Sequence, residues 1–362
     1  MKKSVVALCF ALALTLMFAA CGSGSKATTP AFVVAADSGS GSNIEVFSID
    51  PTSAALTAAS GSPYNFGLAG PDGAIVTHPN GKWVYVCDWE STNVVALNVD
   101  NTSGAATRTN NAADTGACDW SASMTITPAG KYIYTADWNA NVTAFSVDST
   151  TGALTAIGSA NTASPGQRMN MITASDSYVY GADEVDNIYI MKIGSDGSLG
   201  SPTVFAGTQN VDSIVVDRSQ KFLYTAGSSA TGYGLQGYSI GSDGSLTSLG
   251  SQVSPSGVSA ISQMAFSGDN KFMYAADGGS GIRGFSFSAA GAITELTGSP
   301  FNNTAKSANS VALDPSGKVL VSDNDCGDLY SWTRDTSTGL LSNGALTPTA
   351  GHSVCQLTVT WK

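Results

Sequence analysis

Seven segments of one pattern recur along the chain: FVVAAD, WVYVCD, YIYTAD, YVYGAD, FLYTAG, FMYAAD and VLVSD. Aligned on Val34, Tyr85, Tyr134, Tyr180, Tyr224, Tyr274 and Leu320, they are spaced by 51, 49, 46, 44, 50 and 46 residues. Three residues after each anchor stand Asp37, Asp88, Asp137, Asp183, Gly227, Asp277 and Asp323. A near-constant period of this length signals stacked supersecondary units, and it overrides the two-domain expectation that 362 residues would otherwise raise.

Every unit has the same anatomy. A small apolar strand (GAIVTH, SMTITP, SIVVDR) leads into a turn such as HPNGK or DPSGK, where Gly or Asn supplies a positive φ. The tyrosine-bearing strand follows, then an alternating strand (NVVALNVD, NVTAFSVD, IRGFSFS), then a weaker one starting at glycine (TGALTAIG, DGSLTSLG). Four short antiparallel strands per repeat make a blade, so the expected fold is all-β: a seven-bladed β-propeller. The first unit lacks a leading strand, and the C-terminus ends in an unpartnered QLTVTW. Gln356–Trp361 is therefore expected to become the innermost strand of the first blade, closing the ring and removing two exposed sheet edges.

The cysteines fit this topology. Cys9 lies in the N-terminal apolar run and Cys21 follows it, which leaves Cys87, Cys118, Cys326 and Cys355. There is no CxxC and there are two histidines in all, so disulfides are favoured over metal. The end of a second strand and the entrance to the next blade's first strand share one face. That predicts Cys87–Cys118 and Cys326–Cys355, the latter beside the closing seam.

Lys2 and Lys3 precede the apolar run VVALCFALALTLMFAA, a secretory signal over residues 1–20. Its end, Ala19-Ala20-Cys21-Gly22, resembles a bacterial lipobox with Phe18 where Leu is usual, making Cys21 the expected lipidation site. Residues 21–30 form a flexible tether and 31–362 the propeller. The expectation is an exported, membrane-anchored lipoprotein facing periplasm or cell surface, a monomer held to the membrane by its lipid alone. With the two signal lysines removed, 14 basic residues face 27 acidic ones, a net charge of −13. No basic patch exists to meet phosphates, so nucleic acid is not an expected partner.

The turn-and-strand pattern PxGKxxYV and the blade ending DxxTGxL (Asp335, Thr338, Gly339, Leu340) resemble those of the lactonase-type seven-bladed propellers. That family includes 6-phosphogluconolactonase and carboxymuconate-cyclising enzymes, and the resemblance runs from about Phe32 to the end. It implies histidine, arginine and glutamate around the mouth of the central channel. Where family blades read PRH and NEL, this chain has GQRMNM and ADEV: Arg168 and Glu184 match, and Met169 stands in place of the histidine. Ala122 occupies the place of a second family histidine, and the later SNRG-type arginine is missing.

Counting twelve residues back from each anchor gives an entrance column around the mouth: Gly73, Ala122, Arg168, Asp212, Ser262, Ala308 and, in the closing strand, Cys355. Arg168 would hold a carboxylate or oxyanion, Glu184 would act as general base, and His352 is the histidine available on this face. His78 belongs to a turn on the opposite face. Trp89, Trp120 and Trp138, with Asp119 and Asp212, suit a sugar or polar small molecule as well as they suit loop packing. The repeated aspartates read as caps on strand-end turns; calcium held by a subset such as Asp183 with Glu184 is the metal alternative, and no cofactor is otherwise called for. Two functions follow: an envelope-tethered face that binds a small molecule, glycan or envelope protein, and, as the alternative, a hydrolase opening a sugar or other lactone.

Overall fold

The structure, a computed structural model, describes residues 30–361 apart from 38–40, 72–73, 89, 110–112, 115–117, 119–122, 138, 140, 162–167, 302–306 and 350–352. The signal segment, Cys21 and the tether up to residue 29 lie outside these. Among the described residues no helix is long and apolar enough to cross a membrane.

Seven antiparallel sheets form a ring of seven blades. Blade four shows the pattern from the axis outward: Met169–Ala174, Tyr178–Asp183, Asn187–Lys192 and Thr203–Ala206. Blade two carries a fifth short strand, Ala113–Asp114, paired to Asn93–Val99. Second strands are sandwiched between neighbouring blades, so WVYVCD and FMYAAD are buried along their whole length. Outermost strands are mostly exposed, and LTA, ATR and LTS each bury only their first residue.

The ring closes as expected. Val354–Trp361 lies innermost in blade one, antiparallel to Ala31–Asp37, with Val33 opposite Val359 and Ala35 opposite Leu357. Both expected disulfides are present, Cys87–Cys118 and Cys326–Cys355. The second ties the turn after blade seven's second strand to the closing strand.

One apolar cluster fills each junction between blades. The anchor tyrosines have a function there that the repeat pattern did not disclose: each reaches into the next blade. The hydroxyls of Tyr85, Tyr134, Tyr180 and Tyr224 donate to the carbonyls of Gly152 (3.2 Å), Gly197 (2.9 Å), Gly244 (3.3 Å) and Gly291 (3.0 Å), and Tyr274 does the same to Gly339. Each glycine opens a fourth strand, and each satisfied buried bond contributes about 1 kcal/mol.

Blade seven departs from the expected register. Its second strand faces blade one through Val319 and Val321, while Leu320 turns back toward blade six. The position equivalent to the tyrosines is therefore Val321, one residue beyond the expected anchor. Without an aromatic residue the segment VLVSD offers nothing to fix its alignment. The missing hydroxyl is replaced from the neighbouring strand: Ser331, paired with Val321, donates to Ala54 O at 2.7 Å.

Candidate functional site

The open face carries the loops that enter first strands and leave second strands, and the aspartates organise both. Asp183 accepts from the Val185 and Asn187 amides (2.9 Å each), the Asn187 side chain (2.8 Å) and the Tyr189 hydroxyl (3.1 Å). Asp137 likewise caps Asn141 (2.9 Å). Others reach back to the loop before the first strand. Asp88 takes Gly70 N at 2.6 Å, Asp323 takes the Asn309 and Ser310 amides at 2.7 Å each, and Asp37 takes Ser353 N at 2.9 Å across the seam. The capping expected from sequence is present, and these three also pin the entrance loops. With four donors on its two oxygens, Asp183 is committed to the turn and not to a cation, and no cluster of metal-ligating side chains occurs among the described residues.

In blade six the same role draws in a residue that sequence reasoning missed. Arg283, 1% exposed, bonds Asp277 (2.6 Å), Glu295 (2.8 Å) and the Ser256 carbonyl (3.1 Å). It holds the carboxyl of Asp277 below its usual range against the opposing effect of burial. Nothing in the repeat marks this arginine, since no other blade has one at the equivalent place.

Among the described residues four innermost strands bulge where they meet the mouth, leaving Asn170, Asp212, Ser262 and Cys355 as the extra residues. The entrance column must be corrected in two blades. Arg168 stands two residues outside it, beyond Met169, which pairs with Asp183; the column residue of blade four is Asn170. The cause is a short turn: Ser175 N bonds Tyr178 O across two residues, where Thr127–Tyr132, Asp217–Phe222 and Ser267–Phe272 enclose four. Counting back from the tyrosine thus overshoots by two. In blade seven the shifted anchor moves the column from Ala308, which is fully buried between blades six and seven, to Asn309.

Met169, at the place of the family histidine, is fully buried against blade three, with its sulfur over Gly181. Arg168 is exposed and Glu184 half-buried; the Met169–Asp183 pairing brings them to the same end of one hairpin. No ion pair joins the two to each other among the described residues. In the next blade Asp212 opens to the mouth, yet the protein around it raises its carboxyl, the Tyr233 hydroxyl partly opposing this. The Tyr233 hydroxyl accepts from Ile261 N at 2.7 Å and donates to Ile261 O in a long bond of 3.4 Å, with the Asp212 carboxyl as the competing acceptor. This tyrosine was not singled out from the sequence, because it lies two strands away from the entrance column. Trp89, Asp119, Trp120, Trp138 and His352 lie outside the described residues. His78 is buried in its turn, bonded to Gly130 O (3.0 Å), and burial lowers its pKa.

Comparison with known proteins agrees with the geometry. The family model "Lactonase, 7-bladed beta-propeller" matches residues 26–194 and 180–352. Among solved structures, a putative 6-phosphogluconolactonase of Bacteroides fragilis is similar at 18% identity and a TM-score of 0.71, over 93% of this chain and 99% of that one. The periplasmic gluconolactonase PpgL of Pseudomonas aeruginosa is similar at 14% identity and a TM-score of 0.72, over 91% and 98%. At these identities the likeness is one of fold. No curated protein matches the chain in sequence. On its seven closed blades and the match of the family model along almost its whole length, the chain belongs to the lactonase family of seven-bladed β-propellers.

Proposed function

We propose that the protein hydrolyses a lactone at the channel mouth of its open face. The observation that carries this reading is the register of blade four, which sets Arg168 and Glu184 at one hairpin end in a chain of the lactonase family. Glu184 accepts a proton from water as the water oxygen attacks the lactone carbonyl. Arg168 stabilises the oxyanion of the tetrahedral intermediate. The ring C–O bond then breaks and the leaving oxygen takes a proton at the Asp212–Tyr233 pair, yielding a hydroxy acid. With Glu184 at the same hairpin end as Arg168 and the chain carrying 27 acidic against 16 basic residues, an uncharged sugar lactone suits the mouth better than a phosphorylated one. The signal and the lipobox-like cysteine support placing this activity in the cell envelope. For the reading of the open face as a binding surface without chemistry, no observation among the described residues speaks specifically.

The test is hydrolysis of glucono-δ-lactone by the purified protein, followed by acid release above the spontaneous rate. Arg168→Ala and Glu184→Ala should each lower kcat/KM by about a hundredfold or more. Absence of turnover above background, or variants as active as the parent, would overturn the proposal.

A further inference from the structure

A second cavity lies on the outer rim of the open face, between blades four and five, with a volume of about 360 Å³. Its walls are Phe205 with the following loop, the hairpin tip Ser229–Thr231, and the segment Gly250–Gln252 that leaves blade five's outer strand. It shares no lining residue with the mouth site of Arg168, Glu184, Asp212 and Tyr233. Blade five builds this wall with the two longest adjacent strands of the ring, Phe222–Ser229 and Gly232–Ile240.

The floor is ordered by amides. Leu235 and Val253 exchange both backbone hydrogen bonds at 2.8 Å, fixing the Gly250–Gln252 segment. Gln252 donates to Gly232 O (3.0 Å) and Ser254 Oγ (2.9 Å) and accepts from Gln209 (3.2 Å), so its amide is fully used. A side chain at Gly234 would collide with that amide, its Cβ falling 2.6 Å from Gln252 Nε2.

Gln236 is different. It is 5% exposed, and its Nε2 is spent on Gly250 O (2.9 Å), Ser248 Oγ (3.1 Å) and Gly237 O (3.1 Å). Among the described residues its Oε1 accepts no hydrogen bond, and Gln236 lines the cavity. A held acceptor of this kind is costly to leave dry. Phe205, partly exposed and set edge-to-face on Tyr238 at 5.4 Å, supplies an apolar face beside it.

We propose that this cavity binds a neutral carbohydrate of one or two sugar units. None of its lining residues carries a charge, so an ionic ligand would lose its water without compensation. A purely apolar ligand would strand Gln236 Oε1. A sugar satisfies both requirements, donating a hydroxyl to Oε1 and laying C–H groups on Phe205, with the hydroxyls of Thr231 and Ser251 at the rim. The cavity volume is in the range of small-ligand sites. This inference stands apart from lactone hydrolysis at the mouth.

The experiment presents the full mature protein with glucose, galactose, mannose, N-acetylglucosamine, maltose, cellobiose and lactose by saturation-transfer NMR, with calorimetry on those that bind. At least one sugar should bind at millimolar concentration or below. Ser251→Arg, at an exposed rim position, should fill the cavity and weaken binding at least about tenfold, a shift of 1.4 kcal/mol. Phe205→Ala should weaken it several-fold and lower the melting temperature, since the ring packs on Tyr238, whereas Ser251→Arg should leave the melting temperature unchanged. Arg168→Ala should leave sugar binding intact while lowering hydrolysis about a hundredfold or more, which separates the two sites. The proposal fails if none of the seven sugars binds, or if the one that does is indifferent to Ser251→Arg.

Discussion

Val319 and Ala54 share the core between blades seven and one where each of the other six junctions sets an aromatic ring on a glycine. Those pairs are Phe32 with Gly104, Trp83 with Gly152, Tyr132 with Gly197, Tyr178 with Gly244, Phe222 with Gly291 and Phe272 with Gly339. A Cβ on any of these glycines would come within 2.4–2.7 Å of the ring. At the seam the ring shrinks to valine, and a methyl group fits at Ala54 although its φ is 61°. Val319→Phe alone should therefore overpack this junction and cost about 1–3 kcal/mol. Adding Ala54→Gly should recover most of that loss. Urea unfolding of the two singles and the double checks the coupling, and strictly additive effects would refute it.

Closure by the C-terminal strand makes the last residues essential to the whole ring. Deleting Gln356–Lys362 removes Leu357 and Val359, both almost fully buried, and exposes the edge of Ala31–Asp37. Each such side chain contributes about 1.5–3 kcal/mol of burial, before the lost ladder is counted. The truncated protein should be insoluble or melt without cooperativity. A soluble truncation with the parent's melting temperature would show that the seam does not carry the fold.

Blade number, strand count, closure and both disulfides were legible in the sequence because each rests on a periodic or positional signal. The failures came where that signal thins. Blade seven lacks an aromatic anchor, so its sequence aligns on Leu320 although Val321 faces the next blade. Blade four has a turn two residues shorter, which displaced Arg168 from the column that Asn170 occupies. Asp88 and Asp323 bind amides 13–19 residues earlier, and the Arg283–Asp277 pair and the Gln236 cavity join strands through space. No spacing along the chain encodes such contacts. The mouth was readable as a place and only partly as chemistry, since Tyr233 reaches it from a third strand.

The two disulfides should differ in consequence though not in loop length. Their separations of 31 and 29 residues give nearly equal chain-entropy contributions, about 3–4 kcal/mol each. Cys326–Cys355 also holds the strand on which closure depends, whereas Cys87–Cys118 joins two blades already continuous in sequence. The Cys326→Ser/Cys355→Ser pair should lower the melting temperature more than Cys87→Ser/Cys118→Ser and make residues 354–361 the first to exchange amide hydrogens. Equal protection of that strand in both double variants would contradict this.

Asp212 should be a group that function keeps at the expense of stability. The protein packed around this mouth residue withdraws part of its water and raises its carboxyl pKa, the Tyr233 hydroxyl opposing this in part, so the folded protein binds the proton more tightly than the unfolded chain does. The penalty is absent below the unfolded pKa of about 3.9. It grows as pH rises to the folded value and is complete above it. Asp212→Asn should therefore raise the melting temperature at pH 7 and leave it unchanged near pH 3.5. If Asp212 and Tyr233 return the proton to the leaving oxygen, the same variant should open lactones about a hundredfold more slowly. Tyr233→Phe should slow the reaction too, while Asp212→Asn moves the alkaline limb of the pH–rate profile, where a proton donor is lost. A stability gain of equal size at both pH values would show that the carboxylate's charge is not the cause, and full activity in both variants would remove the pair from the reaction.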